Sequence, residues 1–177
     1  METNRLYIRP VLMGDLDAMY SYVSDEEVMR YERDVFSYEG LKNMLLRYLE
    51  DDIFYACIEK ETGQMIGHYY LGRTNPSDFN EFSLGYIFHP SFQGKGYCTE
   101  GAKALVQYAF DHKGAHRIQA RCNPENIASY RVMEKVGFTK EGLLRKRCAF
   151  KKDDKGNPIY TDELVYGLLK EDMVKNG

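Results

Sequence analysis

Apolar and polar positions alternate in short runs along much of the chain, and where the spacing changes to threes and fours helices are expected. Leu6-Tyr7-Ile8-Arg9 reads as a strand stopped by Pro10, after which Asp15 caps a helix with Leu16, Met19, Tyr20 and Val23 on one face. Leu41, Met44, Leu45, Tyr48 and Leu49 mark a second helix. Ile53 to Ile58 and Met65 to Leu71 read as two strands joined through Thr62-Gly63, and Gly72 to Asn80, polar and carrying Pro76, as a loop. Phe82 to Phe88 is an apolar strand leading through a short bend into the glycine-rich turn Gln93 to Cys98 and a helix that runs to Phe110 and stops at Lys113-Gly114. His116 to Cys122 alternates again, with Ile118, Ala120 and Cys122 on one face.

Asn123-Pro124-Glu125-Asn126 opens the next helix, with Asn123 as cap and Pro124 at the first helical position, and Gly137 ends it. Two strands, Phe138 to Phe150 and Ile159 to Leu169, close the chain around the charged loop Lys151 to Pro158. This order predicts an α+β fold, a mixed and mostly antiparallel sheet of roughly six or seven strands flanked by about four helices.

Composition narrows the class. With 177 residues, no linker, no repeat and no low-complexity tract, residues 1–177 are expected to form one domain. A net charge of -3 and a pI near 5.8 give no electrostatic footprint for nucleic acid. Acids recur at Asp25, Glu26, Glu27, Glu32, Asp34, Glu39, Glu50, Asp51 and Asp52, which makes a small cationic partner the better match, although any one of them also suits a solvated surface. Cys57, Cys98, Cys122 and Cys148 lie far apart in mostly apolar runs, so buried free thiols in a reducing cytoplasm are expected rather than disulfides. Nothing has metal-ligand spacing, no run approaches a membrane span, and the first residues are no signal peptide.

The candidate chemistry sits at the junction of the central strand and helix. Glycines there let backbone N–H groups approach a bulky ligand, and a helix start offers unpaired donors and about half a positive charge, which suits a pyrophosphate. Glycines at such a junction also arise for geometric reasons alone. A dinucleotide fold is the weaker reading, because Gly94-Lys95-Gly96 lacks the third glycine at the expected place. In the following helix Asn126, Ser129, Val132, Met133 and Val136 share a face. Two polar residues thus begin an apolar stripe, and each needs a partner, in the core or in a ligand.

Gln93, Gly96 and Cys98 occupy the pattern Gln or Arg, two residues, Gly, one residue, Gly or Ala, so the turn resembles the acetyl-CoA loop of the GNAT superfamily of N-acetyltransferases. Cys98 departs from the usual small residue but is only slightly larger than alanine. The resemblance implies a GNAT-like acyl-CoA N-acyltransferase fold in which the backbone of Gln93, Gly94, Lys95, Gly96, Tyr97 and Cys98 holds the CoA pyrophosphate. It implies too that Tyr86, Ile87 and Phe88 offer strand groups to the pantetheine arm and the acetyl carbonyl. Asn4 to Pro10 is similar to the branch containing ribosomal-protein N-terminal acetyltransferases. Asn126, Ser129, Lys135, Gly137 and Phe138 match that branch's Asn-x-x-Ser and Lys-x-Gly-Phe pattern, which completes the acetyl-CoA site.

Two departures bear on mechanism. Where many members carry a tyrosine that reprotonates the departing thiolate, this chain has Met133, which cannot donate, so Ser129 is the candidate substitute. Where many carry a glutamate on the central strand stands Ser83, and Glu81, with the same parity, is the candidate base. Leaving a lysine amine neutral at pH 7 costs about 4.6 kcal/mol against about 1.1 for an α-amine, which favours a protein or peptide N-terminus as acceptor. Polyamines, aminoglycosides, and a catalytically weak acyl-CoA-binding sensor are the alternatives. Covalent transfer through Cys98 or Cys122 is disfavoured, since neither has a neighbour that would lower its pKa. The acceptor pocket is expected from loops 31–37 and 72–80; a homodimer is compatible, and no metal or membrane partner is expected.

Overall fold

The computed structural model describes residues 1–32, 35–74 and 79–175, so parts of both expected acceptor loops, including Asp34 and Pro76, lie outside the described residues. Among these, seven strands form one sheet: β1 (Leu6–Pro10), β2 (Phe54–Glu59), β3 (Met65–Arg73), β4 (Glu81–Phe88), β5 (Arg117–Cys122), β6 (Thr139–Lys152) and β7 (Pro158–Leu169). Their order is β1-β2-β3-β4-β5-β7-β6, and every neighbouring pair is antiparallel except β4 with β5. The helices are α1 (Leu16–Val23), α2 (Tyr38–Tyr48), α3 (Tyr97–His112), α4 (Ile127–Val136) and the short α5 (Lys170–Lys175), which the sequence pattern did not announce.

Two cores lie against the sheet, one on each face. On one, Leu105, Val106 and Ala109 of α3 pack with Tyr55, Cys57, Leu84 and Ile118. On the other, Met19 and Tyr22 of α1 and Leu41 and Leu45 of α2 pack with Ala56. Strand β2 therefore feeds alternate residues to two cores, which is why it reads as an almost unbroken apolar run.

Two capping assignments change. Asp15 makes no side-chain cap; its carboxylate accepts from Leu12 N at 2.8 Å and pairs with Arg9 through two 2.7 Å bonds, closing a short 3-10 turn. In α1 it is Tyr22, not Tyr20, that is fully buried. Asn123 accepts from Glu125 N at 2.8 Å in a turn of its own, and Asn126 caps α4 by accepting from Ser129 N at 3.1 Å. The helix thus begins three residues later than the first asparagine suggests.

What positions the site is where one pairing stops. Strands β4 and β5 run together only from Glu81 opposite Arg117 to Leu84 opposite Ala120. Beyond that, β4 continues beside β3 as far as Phe88 opposite Gly67, while Arg121 and Cys122 pair only with Val165 and Leu164 of β7. A wedge opens between the two parallel strands. Across it, the Tyr86 hydroxyl donates to the Ser129 carbonyl in the first turn of α4 at 2.8 Å. Below the apex the strands are tied by Arg117, whose Nε bonds Glu81 and whose Nη1 bonds Glu141, each at 2.7 Å.

Candidate functional site

The glycine-rich turn lies at the mouth of the wedge. Gly94 and Gly96 have φ of 73° and 82°, a region a Cβ disfavours, and their succession turns the chain into α3. Among the described residues, the N–H groups of Gly94, Lys95, Gly96, Tyr97, Cys98 and Thr99 find no protein acceptor; pairing resumes with Glu100 N, which bonds Gly96 O at 3.0 Å. A Cβ built on Gly94 would meet nothing within 4 Å. Consecutive donors on an open turn, at the positive end of a helix of 16 residues, fit a diphosphate in charge and in shape.

The turn is held from behind. The Gln93 side-chain amide donates to Phe88 O at 2.9 Å, and the Tyr69 hydroxyl donates to Cys98 O at 2.9 Å. That second bond requires Gly101, where a Cβ would stand 2.3 Å from the Tyr69 hydroxyl.

The strand edge refines one expectation. Phe88 O faces the wedge, since Gln93 reaches it, whereas His89 N bonds Ile66 O beside β3. By strand alternation Tyr86 and Phe88 turn their backbone groups to the wedge, and Ile87 turns its own to β3. A carbonyl oxygen developing charge in the wedge thus has the Phe88 N–H within reach, and Ile87 contributes its side chain to the opposite core.

At the start of α4, Asn126 spends its amide oxygen on the helix cap, and the Ser129 hydroxyl lies 3.3 Å from the Tyr86 hydroxyl. That distance is long for an O–H···O bond, so the serine proton can be redirected at little cost. Burial above all pushes the Tyr86 hydroxyl well above its ordinary range, with Cys98 and Glu32 adding to it, so it stays protonated. Burial also raises Cys122, to about 11 despite a bond from Ser129, and raises Cys98 well above its usual value. Neither thiol is available as a thiolate near neutral pH.

Glu81 sits elsewhere. It is about 17 Å along β4 from Tyr86, at about 3.3 Å per residue, and it accepts from Arg117 and from Thr74 Oγ1, the latter at 3.1 Å. Two other acids act on this region through their charge: Glu32 and Glu163 both add to the raising of Cys122, and Glu32 adds to that of Tyr86, each less than burial does. Glu163, on β7, accepts from Arg121 and from the Cys148 thiol, each at 3.2 Å. Glu32 stood in the acidic run that the composition pointed to, but nothing in its neighbours singled it out; Glu163 stands beside Asp162 in β7, and nothing in the sequence separates the two. Tyr31, beside Glu32, donates to Glu125 O at 3.2 Å and links this segment to the approach to α4. Among the described residues no group of side chains could hold a metal ion, and no helix is long and apolar enough to cross a membrane.

A family model described as an acetyltransferase (GNAT) domain matches residues 5–139. The uncharacterized N-acetyltransferase YnaD of Bacillus subtilis (strain 168) is 37% identical over 176 residues, covering 96% of each chain. A GNAT-family acetyltransferase structure from Bacillus anthracis superposes with a TM-score of 0.86 at 33% identity, over 96% of this chain and 98% of that one. Two structures share the fold at 21% identity. One is a spermidine N-acetyltransferase from Vibrio cholerae in complex with CoA and spermine, with a TM-score of 0.83 over 97% of this chain and 99% of that one. The other is a ribosomal-protein-S5-alanine acetyltransferase from Vibrio fischeri, with a TM-score of 0.78 over 97% of each.

Proposed function

This chain belongs to the GNAT acetyltransferase family and uses acetyl-CoA, and from that premise we propose that it transfers the acetyl group directly to a primary amine in the wedge between β4 and β5, with a peptide α-amine as the preferred acceptor. The observation that carries this reading is the run of unpaired N–H donors from Gly94 to Thr99 beside that wedge. They hold the diphosphate, and the exposed edge of Tyr86 and Phe88 aligns the pantetheine arm by strand-like pairing, so the thioester lies beside the first turn of α4.

The amine must arrive uncharged. An α-amine needs only about 1.1 kcal/mol for this at pH 7. Glu32 is our candidate to take the proton, in place of Glu81, whose distance from Tyr86 rules out contact. As the tetrahedral intermediate forms, the Phe88 N–H steadies the oxyanion, and on collapse the C–S bond breaks to leave a thiolate. Ser129, with Tyr86 behind it, donates a hydrogen bond to that sulfur. Met133 is buried in the apolar stripe and supplies only packing.

A polyamine is the second reading, supported by the negative charge that Glu32 and Glu163 both exert at Cys122 and by likeness to the Escherichia coli spermidine N(1)-acetyltransferase, 26% identical over 140 residues. Thiol release from acetyl-CoA, measured against N-terminal peptides, spermidine and an aminoglycoside, separates the cases. Peptides should lead at pH 7. A higher kcat/KM for spermidine would replace the acceptor, and CoA binding with no turnover on any amine would leave only a sensor.

A further inference from the structure

The opening segment carries an arginine that the proposed chemistry does not use. Arg5, just ahead of β1, reaches the start of α3, more than 90 residues away in sequence. Its backbone N–H bonds Glu100 Oε1 at 2.9 Å, its Nε bonds Glu100 Oε2 at 2.7 Å, and its Nη1 bonds Lys95 O at 3.1 Å. The guanidinium lies over the Tyr97 ring at 4.3 Å, and its Nη2 is 3.5 Å from where a Cβ on Gly96 would be. Thr3 Oγ1 adds a 2.7 Å bond to Glu100, and the Tyr97 hydroxyl bonds Glu59, which also accepts from Thr62.

One planar fork therefore touches Lys95, Gly96, Tyr97 and Glu100. Two consequences follow. Holding Lys95 O on the rear of the turn leaves the following N–H groups directed outward, the arrangement an anion needs. Glu100, moreover, places a full negative charge in the first turn of the helix whose N-terminus is to meet a diphosphate, and like charges there oppose binding. The bonds from Thr3 and Arg5 outweigh burial and hold that carboxyl below its usual range, so the charge persists and must be balanced by a cation at the same spot.

We propose that Arg5 is a positioning residue for acetyl-CoA: it fixes the Lys95 to Tyr97 backbone with its donors outward and cancels the charge of Glu100. This rests on the reading that the turn holds the diphosphate. The ligand part that should sense Arg5 is the diphosphate, while the acetyl thioester and the amine, farther along β4, should not. Lysine cannot replace it fully, because a point charge neutralises Glu100 without the fork that also holds Lys95 O and stacks on Tyr97.

The test uses the full chain as wild type, Arg5→Gln, Arg5→Lys and Arg5→Gln with Glu100→Gln. CoA binding is measured by calorimetry, turnover with acetyl-CoA, and turnover with S-acetylpantetheine, which lacks the diphosphate. Arg5→Gln should raise the Kd for CoA and the KM for acetyl-CoA by tenfold or more, with kcat and the S-acetylpantetheine reaction within twofold of wild type. Arg5→Lys should fall between, and the double variant should regain part of the lost affinity as the charge is balanced. Unchanged CoA affinity in Arg5→Gln overturns the proposal, as does an equal loss with both thioesters, which marks a general structural role. Should Arg5→Gln not fold, Arg5→Lys decides: wild-type affinity for CoA overturns the proposal. A wild-type chain that does not bind CoA overturns the diphosphate reading itself, and the proposal with it.

Discussion

Gly94→Asp, compared with Gly94→Ala, separates charge from shape at the turn. The backbone at Gly94 has φ of 73°, so either side chain introduces left-handed strain of about 1 to 2 kcal/mol, with aspartate at the lower end. No protein atom lies within 4 Å of the new Cβ, so neither side chain collides with its own fold, and both project into the space beside the unpaired donors. The aspartate adds a negative charge. At about 5 Å from a phosphate charge and an effective dielectric of about 20 the repulsion is about 3 kcal/mol, roughly a hundredfold in affinity. Calorimetric titration with CoA should show the alanine variant weakened by about tenfold and the aspartate variant by about a further hundredfold. The gap between them should narrow between 50 and 500 mM salt, because the turn is open to solvent. Equal affinities for the two variants, or a gap indifferent to salt, would refute the assignment of a diphosphate to this turn.

Ser129→Ala should lower kcat about tenfold or more with KM for acetyl-CoA within about threefold, and equal losses in both would reduce the hydroxyl to a cofactor contact. Tyr86→Phe removes the 2.8 Å bond across the wedge and should cost about 1 kcal/mol of stability by denaturant titration; no loss would mean that the bond is not formed in solution. Cys122→Ala should retain turnover within a few fold, since a thiol raised to about 11 is no nucleophile at pH 7, and loss of a burst-forming acetyl-enzyme in mass spectra would instead establish covalent transfer. His68 is buried against the Tyr22 hydroxyl at 2.8 Å, and burial lowers its pKa from 6.5 to about 4. The unfolded chain therefore takes up a proton that the folded one refuses. Stability from neutral His68 is whole above pH 6.5 and falls by about 1.4 kcal/mol per unit on acidification toward pH 4, roughly 3 kcal/mol in all. Denaturation of His68→Gln across that range should lack this slope, and an unchanged slope would assign it to other groups.

The elements were legible because periodicity is a local property, and the turn from Gln93 to Cys98 was legible because its glycines and its place between strand and helix are local too. The misassigned cap shows where that ends. Asn123 and Asn126 are both good caps worth about 1 kcal/mol each, so the sequence offers two helix starts of equal merit. Which of the two caps α4 is not decided by local pattern; the structure uses Asn126, and Asn123 closes the preceding turn on Glu125 N. The base follows the same rule more strongly. Strand parity correctly put Glu81 on a face with Ser83, but a carboxylate's role depends on which cation reaches it, and Arg117, paired opposite Glu81 in register, comes first. Glu163 is carried to the edge of β5 because β7 pairs with it, Leu164 opposite Cys122, and such a register is not a local property. The wedge itself is set by the end of the β4–β5 pairing at Leu84 and Ala120. Lengthening that pairing, by restoring contact between Gly85 to Phe88 and Arg121 to Cys122, would close the wedge on Tyr86 and remove the site without touching any residue of the turn.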